Sequence, residues 1–295
     1  MKHNEYWRKR FEQLHEAQLK KGVDYYNDLE REYQKAVAAI DEKIASWHQR
    51  FAKNNRLTLR EAKWLLDEDD LKEFRWDVKE YIKYGEENAI NGLWMRELEN
   101  ASSRVHISRL EALKLQLQQQ VEVLYGKQAD GVGKTMRSIY SDSYYHTAYE
   151  IQRGFNVGYD LQRLNDKQIT KVISKPWAPD GKNFSERIWT AKDQLVNTLH
   201  TELTQAIIRG DGPDKAIRTI KQRFNTSKYN AGRLVTTESA FFASAAQKDC
   251  FKSLGVEQYE IVATLDGKTS EICQELDGKV FAMKDYEVGV TAPPF

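Results

Sequence analysis

The sequence predicts a mainly α protein, with an extended N-terminal helical region and a compact C-terminal helical domain closed by a small β-hairpin-like element. Three observations predict it. All five prolines lie at or beyond Pro176, so no proline interrupts a helix in the first 175 residues. Apolar residues recur every three or four positions along most of the chain, the period of a helix with one buried face. Alternation suited to strands begins only after Gly255.

The elements follow in order. Residues 25–53 read as one long amphipathic helix, with Tyr33, Val37, Ile40, Ile44, Trp47 and Phe51 alternating by four and three as in a coiled-coil seam. Thr58 and Glu61 have the spacing of a capping box that opens a second helix. Its face carries Leu71, Phe74, Val78 and Tyr81, and Gly85 is the expected stop. A third stretch starts near Ile90, with Trp94, Leu98, Ala101 and Val105 on one side, and continues through Leu110, Leu113, Leu117, Val121 and Leu124. Gly126 to Gly133 is read as a loop, and a tyrosine-rich helix follows it. Residues 174–184, with Pro176, Pro179 and Gly181, form the clearest linker. This reading divides the chain into N-terminal amphipathic helices (1–125), a helix with its Pro/Gly linker (126–180) and a C-terminal domain (181–295).

In that last part Ile188, Leu195, Leu199, Leu203 and Ile207 mark a helix that stops at Gly210 and Gly212. Pro213 opens a short helix with Ala216, Ile220 and Phe224, and a longer one follows the "NTSK" stretch, capped by Gly255. Two strands, "QYEIVAT" and "GKVFA", flank a turn at Asp266-Gly267 and a helical turn started by Thr269 and Ser270 that carries Ile272 and Cys273.

Bulk properties exclude several classes. The net charge of +1 gives no bulk attraction to DNA or to an acidic membrane. Two cysteines, Cys250 and Cys273, make no disulfide framework and point to a reducing compartment. The N-terminus is charged throughout, unlike a signal peptide, and no run of about 18 apolar residues is present to span a membrane, so a soluble protein made in a cytoplasm is expected.

Motifs that would carry chemistry are incomplete. "DGVGKT" (130–135) lacks the first glycine of a phosphate loop, since Gln128 stands there, and no strand precedes it. The six histidines show no metal spacing; His146 and Glu150 could share a helix face as a hydrogen-bonded pair. Glu238, set among small and apolar residues with Arg233 five positions earlier, is either a catalytic acid or a structural acid that ties elements together. A nuclease or transferase using Glu238 with Asp266 or Asp277 is therefore one open class. A second is a non-specific DNA-binding module using Arg209, Lys215, Arg218, Lys221, Arg223, Lys228 and Arg233, offset in that segment by Asp211 and Asp214. The apolar stripe of residues 33–51 is a third candidate surface, either for a partner or for packing within the chain.

The set "RLVTTESAFFASAAQKDCF", "LGV", "ATLDGKTSEICQELDGKVF" and "APPF" resembles the C-terminal domain of phage minor head proteins, the head morphogenesis family of phage Mu and of the Bacillus phage SPP1. The motif residues are Glu238, Asp266, Thr269, Cys273, Asp277, Gly278, Pro293 and Pro294. The N-terminal stretches "KEFRWDVKEYIKYGEENA", "LENASSRVHISRLEALK" and "YYHTAYEIQRGFNVGYD" resemble the version in phages and prophages of Gram-positive bacteria. The resemblance implies a structural virion protein and not an enzyme, made in the host cytoplasm and carried inside the head. It implies partners among the portal protein, the major capsid or scaffolding protein and packaged double-stranded DNA, with no membrane and no cofactor. Family members continue past the proline pair with His-x-x-Cys-Arg, so the resemblance allows zinc at Cys273 in a longer chain; in this chain no metal site is expected.

Overall fold

The computed structural model describes residues 4–52, 65–88, 90–158, 161, 163–263, 265 and 269–294. The elements are α1 (Asn4–Ala52), α2 (Glu68–Glu87), α3 (Gly92–Ser103), α4 (Arg109–Phe155), α5 (Asp166–Ser174), α6 (Phe184–Ile208), α7 (Pro213–Ser253), β1 (Gln258–Glu260), α8 (Glu271–Leu276) and β2 (Val280–Ala282). The fold is mainly α, as the sequence predicts, with a single pair of strands among the described residues. The expected capping box at Thr58 and Glu61 lies outside the described residues.

Two expected breaks are not breaks. Gly126 to Gly133 lies inside α4. Val121, Tyr125, Gln128, Val132 and Met136 continue one buried stripe at helical spacing through the stretch. Gly131 serves close packing there, because a Cβ at that position would collide with the Tyr25 ring. Its neighbours Gly133, Lys134 and Thr135 are thus helical and present no loop to cradle a phosphate. The "NTSK" stretch lies inside α7. The Thr226 hydroxyl donates back to the Gln222 carbonyl at 3.2 Å, satisfying itself within a running helix instead of capping a new one. Gly85 likewise stays within α2, which ends at Glu87. The break between α3 and α4 comes instead at residues 104–108, leaving Val105 exposed.

The chain divides into two compact units, one of Met1–Tyr26, Gly131–Phe184 and Gly232–Phe295, the other of Asn27–Asp130 and Ser185–Ala231. In the second unit the predicted seam of α1 is core: Tyr33, Ile40, Ile44 and Trp47 are buried. Tyr33 meets Tyr125 and Phe224 edge-on at 6.3 and 6.4 Å. At these four positions the stripe is covered by the chain itself, while Val37 between them is half-buried. A satellite core joins Phe74 and Val78 of α2 to Trp94, Leu98 and Ala101 of α3, with Ile107 and Ala112. Asp67 caps α2 by accepting the Asp70 N–H at 2.7 Å, which satisfies one free donor of the first turn.

The same unit buries an ion pair. Lys192 on α6 donates to Glu122 on α4 at 2.7 Å, with side chains 6% and 1% exposed. Burial pushes the Glu122 carboxyl up, against the pull of Lys192. The lysine also meets Asp193 at 2.8 Å and lies 5.6 Å from the Trp189 ring centre. The two ends of the pair are therefore unequal. Lys192→Met strands a buried carboxylate and should cost about 3–5 kcal/mol. Glu122→Gln leaves the ammonium with Asp193 and should cost less than half as much. Urea unfolding of both variants measures the difference, and equal losses would contradict this asymmetry.

Candidate functional site

The C-terminal clip is built on the end of α7. Gly255, at φ +68°, closes that helix, since a left-handed residue there carries no Cβ penalty. Its N–H donates to the Lys252 carbonyl at 3.2 Å and the Val256 N–H to the Phe251 carbonyl at 2.9 Å, the paired bonds of a Schellman cap. Val256 and Phe251 then pack on the clip's own core of Tyr259, Ile261, Met283, Tyr286 and Ala292. β1 and β2 pair antiparallel in the register Gln258 to Ala282 and Glu260 to Val280. Two three-residue strands cannot stand alone in water, so the clip depends on its seat.

Tyr286 makes that seat. Its hydroxyl donates to the Ser244 carbonyl of α7 at 3.0 Å, and its own carbonyl accepts from the Lys248 ammonium at 2.8 Å. Lys248 also lies 5.1 Å from the Tyr286 ring centre, a cation–π contact. Burial pushes the Tyr286 phenol well above the ordinary tyrosine range. Beside it the Tyr140 hydroxyl of α4 donates to Asp249 at 2.6 Å, and burial together with that carboxylate holds the phenol protonated.

Glu238 is fully buried on α7. Its carboxylate accepts from the indole N–H of Trp177 at 2.9 Å. Trp177 belongs to the linker after α5, and its ring stacks on Phe241 at 4.3 Å and 8°. Glu238 thus fastens the Pro/Gly linker to α7, the kind of contact that the structural reading of this acid calls for. Arg233, offered as its partner, is exposed and forms no ion pair among the described residues. His146 and Glu150 are not a pair either. Arg10 of α1 takes the Glu150 carboxylate with two bonds of 2.8 and 2.6 Å.

The remaining motif residues hold the clip together. Ser270 caps α8 by accepting the Cys273 N–H at 3.2 Å, and the Thr269 carbonyl accepts from Gln274 at 2.9 Å. Asp277 accepts the Ala263 N–H at 2.8 Å and faces Arg8 of α1 at 3.3 Å. The Gly278 N–H donates to the Ile261 carbonyl at 2.8 Å, extending the strand pairing. Near the proline pair, Pro293 and Pro294, Tyr259 donates to the Thr291 carbonyl at 2.9 Å. Asp266 lies outside the described residues. Glu238 is bonded to Trp177, and Asp277 to the Ala263 N–H and Arg8; no hydrogen bond joins the two acids among the described residues. Among the described residues no cluster of three or more histidine, cysteine or carboxylate side chains is placed to hold a metal. Cys273 is half-exposed, whereas Cys250 is buried and its thiol is pushed up to about 12 by burial.

Residues 197–295 match the family model of the Phage Mu protein F like proteins. The match begins within α6 and takes in α7, with Glu238 and the seat, and the whole clip. It covers the C-terminal third of the chain, the region where the sequence motif lies. No curated protein and no solved structure matches the chain.

The basic residues of the 205–233 segment are mostly neutralised. Asp211 holds Arg209 at 2.9 Å and Lys215 at 2.7 Å. Glu202 holds Arg223, Glu30 holds Lys228 and Asp41 holds Lys221. Of the seven cations that the sequence offers for DNA contact, Arg218 and Arg233 form no ion pair among the described residues. Sequence reasoning counted the acids of the segment itself and missed those brought in from α1 and α6.

Two outcomes test the seat. Trp177→Phe keeps an aromatic ring on Phe241 but removes a donor from a buried carboxylate; it should lower stability by about 1–3 kcal/mol in chemical unfolding. A thiol-specific colour reagent should titrate one cysteine, Cys273, in the folded chain and both only after unfolding in guanidinium. Fast reaction of both thiols in the native protein would show that Cys250 is not held as described.

Proposed function

We propose that this chain is a structural minor head protein of a phage or prophage, carried inside the virion head. The observation that carries this reading is the match of residues 197–295 to the Mu F-like family model. The geometry of the same region supports it: Glu238 clamps the linker, Asp277 and Gly278 bond to the strand segment, and Ser270 caps α8. A region built in this way suits attachment and assembly better than turnover. In this reading the chain docks on the portal protein or on the inner face of the major capsid or scaffolding protein, is made in the host cytoplasm, and acts in head morphogenesis and in DNA packaging or delivery. The resemblance of the N-terminal stretches supports a Gram-positive host.

Quantitative mass spectrometry of purified virions and of isolated portal complexes tests it. The chain should be present at a few copies per particle and enriched with portal. Recovery solely from the soluble lysate would overturn the reading.

A further inference from the structure

The sequence directs attention to residues 205–233 for contact with a polyanion, yet acids hold five of those seven cations. A different set of positive charges is unneutralised. α5 buries Ile169 and Ile173 and turns Lys167 and Lys171, at i and i+4, to solvent, with exposed Lys175 at its C-cap. Among the described residues none of these three lysines forms an ion pair. Their span is about 12 Å at the helical rise, on the order of three or four phosphates of one DNA strand.

The Trp177 clamp joins these lysines to α7. Trp177, two residues after Lys175, is stacked on Phe241. Phe241, Lys248 and Lys252 stand at i, i+7 and i+11 of α7, on one face. Lys175 and Lys252 lie near enough to Lys248 that both depress its pKa, behind the larger effect of burial. The ammonium of Lys248 is bonded to a neutral carbonyl, so its charge is not cancelled. The carboxylates alongside are Asp166, Asp249 and Glu287. None of them forms an ion pair with any of the five lysines among the described residues, and Asp249 accepts from Tyr140.

We infer that Lys167, Lys171, Lys175, Lys248 and Lys252 form a contact surface for the phosphate backbone of double-stranded DNA. Two observations choose this partner. No large hydrophobic residue between Val157 and Ile208 is exposed among the described residues, so the α5 face lacks the apolar centre of a protein interface and the apolar face of a membrane-bound helix. The aromatic ring nearest in sequence, Trp177, is already stacked on Phe241, leaving no platform there for the unpaired bases of a single strand. Lysines acting as point charges on phosphates give binding that is independent of sequence. That the DNA is the packaged genome rests on the head-protein reading; the surface itself does not.

Fluorescence anisotropy of the full chain on labelled 30-base-pair duplexes, between 50 and 200 mM salt, is the test. Lys167→Ala, Lys171→Ala and Lys252→Ala combined should flatten the plot of log affinity against log salt by about 0.9 per lysine removed, equally for unrelated sequences. Arg218→Ala with Arg233→Ala should leave the slope unchanged. An unchanged slope in the triple variant, a slope lost in the double variant, or no binding to duplex at 50 mM salt would each overturn the proposal. Tighter binding to polyglutamate than to duplex would assign the surface to an acidic protein and overturn it too. Recovery of the triple variant in virions is read separately: particles that contain the chain while the slope is unchanged overturn the DNA surface and leave the head-protein reading standing.

Discussion

Helices of 49, 47 and 41 residues set the terms for everything else in this protein, because each must keep an apolar stripe covered along its length. Helix propensity alone does not hold such elements in water; most of their stability comes from the packing of that stripe. The consequences appear at every level. Glycines sit inside the helices where another side chain crosses, as Gly131 does beneath Tyr25 and Gly154 beneath Trp7. The α1 seam is consumed by Tyr125 and Phe224, leaving little of it for a partner. Charged groups are drawn into the core as well, and Lys192 with Glu122 is the most buried ion pair described.

The C-terminal clip depends on the same constraint. Its strands are too short to be stable unaided, and its core closes only because α7 ends in a cap that folds Val256 back onto Phe251. Tyr286 then places a hydroxyl on the α7 backbone, and Lys248 returns a bond to the clip. Glu238 does for the linker what Tyr286 does for the clip. Both are side chains whose polar ends find partners on one helix, and both lock irregular backbone onto regular structure. Irregular segments carry backbone groups that need partners, so anchoring them at few points leaves the rest to solvent.

Much of this was legible in the sequence, and what was not has a physical cause. The seam from Tyr33 to Trp47, the cap at Gly255, the helical turn begun at Ser270 and the strand pair all stand where local pattern places them. Those signals are local, set by period or by a single cap. The false loop at Gly126 to Gly133 and the false break at "NTSK" arose from residues that favour turns in isolation but here face a covering element or bond back into the helix. Trp177 was passed over as part of a linker. A large aromatic between two prolines in a polar stretch was a usable signal, since such a ring is seldom left in water without a reason.

Charge was the least legible property. The segment 205–233 reads as five positive charges in excess, yet its neutralising acids Glu30, Asp41 and Glu202 lie far away in sequence or on another helix. The lysines of α5 lie in a stretch where the sequence reading named no element, and they form no ion pair among the described residues; beside Lys248 of α7, Asp249 accepts from a phenol. A salt bridge at the surface adds little to stability, but it decides which cations remain available to an outside anion. A count of basic residues along a sequence therefore overestimates binding surfaces wherever long helices run side by side.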